Sequence, residues 1–338
     1  MTGPTSNEAP LLDVENLAVE IDGRNGKARV VDGISFQLKR GETLGVVGES
    51  GCGKSLTMLS LVGLLPNRIR VEGGKAKLGG RDLLTMSQRD LRAVRGGEIG
   101  FIFQDPMTSL NPVLRIGQQL CEPIYYHRGL SRAAAHARAV ELLGLVGIPS
   151  PEARMRSYPH ELSGGQRQRV MIAIGLACNP SLLIADEPTT ALDVTIQAQI
   201  VDLVRSLREK LGMSVVWITH DLALIAGLAD RIVVLYAGTI VEDAPVDALY
   251  ANPQHPYTRG LLASIPRVHG EDTRRLSSIP GTLPEPGRRP PGCPFAARCA
   301  LAMPVCRERV PALEPVANGA EGHRAACFAL STARELAA

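Results

Sequence analysis

A glycine-rich loop with a single lysine constrains this chain more than any other feature of its sequence. The residues Gly48-Glu-Ser-Gly-Cys-Gly-Lys54-Ser55 fit the pattern G-x-x-x-x-G-K-[ST]. The apolar run Glu42–Val47 precedes them, and the helix-compatible run Leu56–Leu65 follows. A strand, a glycine loop and a helix in this order begin a parallel α/β unit. We therefore predict an α/β fold built around a site for nucleotide phosphates.

The loop carries the groups that hold a polyphosphate and its magnesium ion. Glycines let the backbone fold tightly around phosphate oxygens, and the following helix adds its positive N-terminus. Lys54 is predicted to reach the β- and γ-phosphates, and Ser55 to bind Mg²⁺. A coincidental glycine turn is the alternative, and the strand–loop–helix context argues against it. The residues predicted to contact ATP here are Gly48, Ser50, Gly51, Cys52, Gly53, Lys54, Ser55 and Leu56.

Other short runs outline the rest of the fold. Residues 105 to about 160 include the Ala/Arg/Leu-rich run Arg132–Val146, which indicates a helical insertion. After about residue 250, nine prolines fall between Pro280 and Pro315, so we expect few regular elements there. The runs that predict strands are Leu11–Val19, Gly33–Leu38, Ile99–Phe103, Leu182–Ala185, Val215–Thr219 and Ile232–Tyr236.

Two carboxylates follow the apolar run Leu182–Ala185. Open α/β sheets bind ligands at the carboxyl ends of their strands, where Asp186 and Glu187 are expected to lie. Asp186 is predicted to bind the Mg²⁺ hydration shell, and Glu187 to orient or deprotonate the attacking water. The alternative is that these acids only begin a helix. Next to a phosphate loop, the hydrolytic interpretation is favoured.

Composition excludes several classes of function. The chain has 338 residues with 37 Lys and Arg against 34 Asp and Glu, a balance too even for a nucleic-acid surface. The apolar run Val170–Ala185 is too short for a membrane span and contains Asn179-Pro180. Met1–Pro10 lacks the apolar core of a signal peptide. We therefore expect a cytosolic protein without disulfides that contacts a membrane only through a partner.

The pentapeptide Leu162-Ser163-Gly164-Gly165-Gln166 begins a long helical pattern, Arg167–Ala177. Alone it could be an ordinary helix cap. Ahead of Asp186 and after the phosphate loop, it resembles the signature loop of the ATP-binding-cassette (ABC) family. Gln104, after the strand Ile99–Phe103, matches the family's Q-loop glutamine. Ala191-Leu192-Asp193 matches its D-loop, and His220 its switch histidine.

This resemblance implies a mechanism. Two cassettes face head to tail, and ATP is clamped between the phosphate loop of one and the signature loop of the other. Ser163, Gly164, Gly165 and Gln166 are then expected to act on the partner's ATP. Gln104 joins Ser55 and Asp186 as an expected Mg²⁺ ligand, and Glu187 and His220 are the expected catalytic residues. Where the family stacks an aromatic side chain on adenine, this sequence has Ile21, which offers apolar contact only.

The C-terminal sequence resembles one group within the family. Asn252–Leu262, Ile279–Pro284 and Gly292–Cys299 are similar to the extension of oligopeptide and dipeptide permease ATPases. The resemblance implies an ABC-type P-loop ATPase domain over residues 11–250, with a mixed sheet and a helical subdomain at about 105–160. An irregular Pro/Cys-rich extension follows over 251–338. Relatives of this group serve peptides, nickel or other small solutes.

Four cysteines crowd the extension with the spacing C-x5-C-x6-C-x20-C, which is neither the ferredoxin run nor the common paired zinc pattern. Some members of the dipeptide-permease group carry a 4Fe-4S cluster here. A 4Fe-4S cluster, zinc, and free or oxidised thiols all stay open. His323 is expected to be a solvated loop histidine. The candidate ligands are Cys293, Cys299, Cys306 and Cys327.

The resemblance implies an importer energy subunit on the cytoplasmic face of the inner membrane. Its expected partners are a second ABC ATPase, usually a distinct paralogue, two transmembrane permease subunits and an extracytoplasmic solute-binding protein. The permease is expected to dock on the segment from Gln104 through the helical insertion. An alternative is a cassette ATPase that acts on nucleic acid or the ribosome, but this chain lacks the basic arms of such proteins. A binding module without turnover is disfavoured by Glu187 and His220.

Overall fold

The computed structural model describes residues 9–23, 26–190, 192–265, 278–285 and 289–330. Within these ranges the chain divides into two compact units whose sequences interleave. The helical unit comprises Lys39–Thr43 and Thr85–Ile218. The strand-rich unit comprises Ala9–Leu38, Leu44–Leu84 and the described residues from Thr219 onward.

The regular elements of the described residues are as follows. The strands are β1 (Leu12–Gly23), β2 (Gly26–Leu38), β3 (Thr43–Val47), β4 (Ile69–Leu78), β5 (Arg81–Asp82), β6 (Ile99–Ile102), β7 (Leu182–Asp186), β8 (Ser214–Thr219), β9 (Arg231–Tyr236), β10 (Thr239–Pro245), β11 (Glu314–Pro315) and β12 (Arg324–Ala325). The α-helices are α1 (Lys54–Leu61), α2 (Gln88–Val94), α3 (Pro106–Ser109), α4 (Ile116–Arg128), α5 (Arg132–Leu145), α6 (Pro151–Arg154), α7 (Gly164–Gly175), α8 (Val194–Leu211), α9 (Leu222–Ile225), α10 (Val246–Ala251), α11 (Pro256–Ala263) and α12 (Val305–Glu308). Short 3-10 helices cover Leu83–Thr85, Pro159–Glu161 and Ala296–Arg298.

Strand β1 lies inside an antiparallel sheet of the strand-rich unit with the order β2-β1-β4-β5. A one-residue slip of a strand turns its apolar side chains to the other face. The pairing of β1 with β2 shifts register between Val14 and Leu17, and Asn16 adopts a left-handed φ of 49°. The buried positions change there from Leu12 and Val14 to Leu17 and Val19. The irregularity therefore keeps apolar side chains of β1 buried on both sides of the register shift.

Strand β3 leads into the phosphate loop. All five of its residues are buried, and it pairs in parallel with β9. The other edge of β9 pairs antiparallel with β10, and β12 and then β11 continue this mixed sheet. Strands that are buried on both faces have continuous apolar sequences. The strands predicted at Glu42–Val47 and Ile232–Tyr236 are confirmed for this reason.

In the helical unit, three parallel strands have the order β8-β7-β6. The end of helix α7 packs closely against β6. The contact leaves room only for glycine at position 100, since a Cβ there would lie 2.1 Å from the carbonyl oxygen of Gly175. Helices α3 to α6 fall where the sequence predicts a helical insertion. The apolar run Val170–Ala185 divides between α7 and β7. In the described ranges, no helix is both long enough and apolar enough to cross a membrane.

A buried cluster of hydrogen bonds holds part of the extension. Glu242 of β10 is 0% exposed and accepts hydrogen bonds from the backbone N–H groups of Gln254 at 2.7 Å and His255 at 2.9 Å. Its Oε1 lies 2.8 Å from Nε2 of His323. His323 is only 3% exposed, so the expectation of a solvated loop histidine is wrong. The extension thus joins the core in part through buried polar contacts.

We expect Glu242→Ala to lower the free energy of unfolding by about 3 kcal/mol, because it leaves two buried N–H groups and His323 without their acceptor. Urea denaturation measures this change. Glu321→Ala is the control, since Glu321 is exposed in the same extension. Equal unfolding midpoints for the two variants would contradict the prediction.

Candidate functional site

The phosphate loop, Gly48–Ser55, joins β3 to α1 in the strand-rich unit. A Cβ at Gly48 would lie 2.3 Å from the carbonyl oxygen of Leu235 and 2.7 Å from Sγ of Cys52, so only glycine fits. The N–H of Gly238 donates to the carbonyl oxygen of Cys52 at 2.9 Å and fixes the loop to the turn after β9. The predicted strand–loop–helix context is confirmed.

Lys54 folds back over this loop. Its Nζ donates to the carbonyl oxygens of Gly48 at 2.7 Å and Glu49 at 3.1 Å, and the residue is 4% exposed. The ammonium group therefore lies among the backbone groups of the loop, next to the N-terminus of α1. A lysine, a glycine loop and a helix N-terminus together favour a polyphosphate ligand. Ser55 and Leu56 follow in the first turn of α1, both half-buried.

Cys52 is a buried residue of the phosphate loop, 1% exposed. Burial raises the pKa of its thiol, and the charge of Lys54 opposes that shift only in part. The thiol is therefore neutral and shielded rather than activated by the helix N-terminus. This supports a packing role for Cys52 over a reactive one.

The helical unit brings Gln104 and Glu187 together. Glu187 follows β7 with a left-handed φ of 44°, a strained conformation for this residue type. Its N–H donates to the carbonyl oxygen of Ile218 at 3.0 Å. Its Oε2 accepts from Nε2 of Gln104 at 3.3 Å and from the hydroxyl of Thr190 at 3.1 Å. Asp186, at the end of β7, is 6% exposed.

Thr190 is a contact that the sequence interpretation missed. Its position three residues after Glu187 is the available signal, because that spacing lets a turn bring the two side chains together. The N–H of Thr190 also donates to the carbonyl oxygen of Glu187 at 3.1 Å, which closes that turn. The carboxylate is therefore oriented by two side chains and by the backbone of its own turn.

The signature loop forms a helix cap at the start of α7. The hydroxyl of Ser163 accepts from the N–H of Gln166 at 3.3 Å, and Oε1 of Gln166 accepts from the N–H of Ser163 at 3.1 Å. This reciprocal pair is a capping box. Ser163 and Gly164 are exposed, and Gly165 is half-buried. The loop thus presents a rigid helix N-terminus at the surface of the described residues.

Three further residues are predicted to act at the site: Asp193, His220 and Ile21. Asp193 caps α8, since its Oδ1 accepts from the N–H of Ile196 at 2.9 Å, while Ala191 lies outside the described residues. His220 follows β8 and is exposed. Ile21 is half-buried on β1, where it pairs with Ala28 of β2. Their roles toward a nucleotide stay predictions.

The four extension cysteines line one small cavity of the strand-rich unit, beside His255 and Phe295. Burial is the main cause that raises the pKa of Cys293 to about 11, and it also raises the pKa of Cys299 and Cys327. The thiols of these three cysteines are therefore neutral. Across the described ranges, no group of three or more His, Cys, Asp or Glu side chains is arranged to hold a metal ion. The structure thus brings the cysteines together but not in a ligating arrangement.

Two protein families match separate parts of this chain. Residues 31–190 match the family described as ABC transporter. Residues 241–306 match the family described as oligopeptide/dipeptide transporter, C-terminal region. The second match covers the sequence phrases of the extension and three of its four cysteines.

Relatives match along most of the chain. The probable peptide ABC transporter ATP-binding protein y4tR of Sinorhizobium fredii (strain NBRC 101917 / NGR234) is 50% identical over 319 residues, 94% of each chain. The oligopeptide transport ATP-binding protein AppD of Bacillus subtilis (strain 168) is 50% identical over 304 residues, 90% of this chain and 92% of AppD. The dipeptide transport ATP-binding protein DppD of the same organism is 49% identical over 297 residues, 88% of each chain.

Among solved structures, the ATP-binding cassette MJ0796, described as a dimer in a post-hydrolysis state bound to ADP and Pi, is similar with a TM-score of 0.63. It is 28% identical, and the likeness covers 70% of this chain and 98% of that one. The protein cbiO1 of Clostridium perfringens, described as part of the ABC transporter complex cbiONQ, has a TM-score of 0.62 at 27% identity. This likeness covers 72% of this chain and 92% of cbiO1. These likenesses confirm the predicted cassette fold.

We expect Gly48→Ala to abolish nucleotide binding, because its Cβ would collide with the carbonyl oxygen of Leu235 and displace the loop. Titration with a fluorescent ATP analogue measures the loss. Lys75→Ala, at an exposed position of β4 in the same unit, is the control and is expected to bind within about threefold of the parent. Unchanged binding by Gly48→Ala would show that the close approach does not shape the site.

Proposed function

Because this chain belongs to the family of peptide ABC transporter ATP-binding proteins, we propose that it is the subunit that hydrolyses ATP to drive import of di- or oligopeptides. The observation that carries the proposal is a single chain with both a lysine-bearing phosphate loop and a strand-end carboxylate held by two side chains. Relatives named for peptide, oligopeptide and dipeptide transport support the substrate class.

The phosphate loop is proposed to bind the ATP phosphates. Lys54 neutralises the β- and γ-phosphates in place of its present bonds to loop carbonyls. Ser55, Gln104 and Asp186 are proposed to hold Mg²⁺, because hydroxyl, amide and carboxylate oxygens are the ligands that this ion prefers. When bound, the ion neutralises charge on the transferred phosphate. Ile21 is proposed to contact the base.

Glu187 is proposed to be the general base. Two hydrogen-bond donors, Gln104 and Thr190, orient its carboxylate, so that it can accept a proton from a water that attacks the γ-phosphate. His220 is proposed to contact the γ-phosphate. Its exposure leaves the imidazole accessible to a ligand.

A second cassette subunit, a distinct paralogue, is proposed to complete the site. Ser163, Gly164, Gly165 and Gln166 would then contact the partner's ATP, and Asp193 would lie near that interface. The exposed, rigidly capped N-terminus of α7 supports this role, because helix N-termini favour anions. The dimer described for the related cassette MJ0796 supports the arrangement.

Exposed apolar side chains of the helical unit are proposed to receive a cytoplasmic helix of the permease. Met107 is 62% exposed and Tyr126 is 80% exposed, unusual values for such large side chains. Two permease subunits and an extracytoplasmic solute-binding protein would complete the importer. The chain would therefore be a peripheral protein on the cytoplasmic face of the inner membrane.

The extension cysteines are proposed to hold a 4Fe-4S cluster, with zinc as the alternative. The support is that Cys293, Cys299, Cys306 and Cys327 line the same cavity. Cluster ligands are thiolates, and burial disfavours the thiolate of Cys293, so a bound cation must supply the compensating charge. A bound cluster would also cross-link the segments that carry the four cysteines.

Anaerobic purification is expected to give a coloured protein with about four iron and four labile sulfide atoms per chain. Iron, sulfide and zinc assays measure the content. Cys293→Ser should lose the metal, whereas Cys121→Ser, in helix α4, should retain it. Colourless protein without iron would reject the cluster, and an absence of zinc as well would reject both metals.

We expect Glu187→Gln to bind ATP but to lower kcat by about 100-fold or more, because the amide cannot accept the proton of water. Phosphate release measures the rate, and size-exclusion chromatography with ATP should reveal a trapped closed pair. Glu209→Gln, a surface acid of α8, is the control. Hydrolysis by Glu187→Gln at the parental rate would reject this role.

A further inference from the structure

The phosphate loop contains a carboxylate that its expected ligand should repel. Glu49 follows Gly48 directly and is one of the two residues whose carbonyl oxygen accepts from Nζ of Lys54. A polyphosphate in this loop would lie close to that negative charge. Like charges at short range disfavour binding unless one of them is neutralised. The contacts of Glu49 therefore bear directly on nucleotide affinity.

Arg298 of the extension neutralises this carboxylate. Its Nη1 and Nη2 donate to Oε2 and Oε1 of Glu49 at 2.7 and 2.9 Å, a bidentate pair. The side chain of Arg298 is only 6% exposed, so solvent screens the pair poorly. Its Nε donates to the carbonyl oxygen of Pro280 at 2.8 Å, which fixes the plane of the guanidinium. The geometry is that of a strong, directional ion pair.

A second residue of the extension holds the backbone of Glu49. The hydroxyl oxygen of Tyr257, on α11, accepts from the N–H of Glu49 at 2.8 Å. Tyr257 is 0% exposed, and burial raises the pKa of its hydroxyl, so it stays neutral. The extension thus contacts Glu49 at both its side chain and its main chain. We call Arg298 and Tyr257 the Glu49 clamp.

Packing fixes the position of the Glu49 clamp. Phe295 lies three residues before Arg298, and its ring packs edge-on against Tyr236, with centroids 5.1 Å apart. The same ring contacts Tyr257, with centroids 5.4 Å apart. Cys299, the residue after Arg298, lines the cysteine cavity. Arg298 is therefore anchored on both sides by the fold of the extension.

We propose that the Glu49 clamp is part of the ATP site: it positions the phosphate loop and neutralises Glu49, so that the loop accepts a polyphosphate. Arg298 and Tyr257 are positioning residues, since they act through Glu49. The inference rests on the proposed function, because the ligand is ATP. Its consequence is that the extension, and not the cassette alone, sets the affinity for nucleotide.

Arg298→Ala should weaken ATP binding about tenfold and raise KM similarly, with kcat within about twofold of the parent. A fluorescent ATP analogue and a phosphate-release assay measure these values. Adding Glu49→Gln to Arg298→Ala should restore most of the affinity, because the repelling charge is then gone. Arg307→Ala, at an exposed position of the same extension, is the matched control. Tyr257→Phe keeps the ring but removes the acceptor of the Glu49 N–H, and it should weaken binding while the protein stays folded.

These variants distinguish neutralisation of Glu49 from a general loss of structure in the extension. Parental affinity in Arg298→Ala would overturn the inference. Equally weak binding by Arg298→Ala and by its double variant with Glu49→Gln would also overturn it, because a general loss of extension structure is not repaired by removing one charge. If Arg298→Ala does not fold, Arg298→Gln replaces it, because glutamine removes the charge but keeps a polar side chain. Parental affinity in both Arg298→Gln and Tyr257→Phe would overturn the inference. Failure of the parental protein to hydrolyse ATP would instead reject the proposed function.

Discussion

The close approach of Gly48 to the carbonyl oxygen of Leu235 is the constraint on which the nucleotide site depends. It fixes where the chain leaves β3, and thereby where α1 begins and where Lys54 can fold over the loop. The next residue of β9, Tyr236, packs against Phe295 of the extension. Strand β9 thus contacts both the phosphate loop and the segment that carries Arg298.

Much of the fold could be predicted because buried strands leave a direct mark on sequence. The runs Leu182–Ala185 and Val215–Thr219 are apolar throughout, and the structure places β7 and β8 there with every residue buried. The helix at Arg132–Val146 was visible for the complementary reason, its helical spacing. The family motifs predicted which distant residues belong to the site. Gln104 and Glu187 are hydrogen-bonded although 83 positions separate them.

Local pattern did not predict contacts that depend on distant parts of the chain. The irregularity at Asn16 lets both Val14 and Leu17 be buried. The alternating apolar pattern of this run does not predict such a register shift. His323 was misplaced because its burial depends on Glu242, which lies 81 positions away. The cysteine spacing fitted no common metal motif, and the cavity that joins the four thiols became visible only in three dimensions.

The pairing of Glu49 with Arg298 spans 249 positions of the chain. Because a protein is made from its N-terminus, the phosphate loop emerges from the ribosome long before its counter-charge is translated. A nascent or prematurely terminated cassette therefore carries the phosphate loop without the arginine that pairs with Glu49.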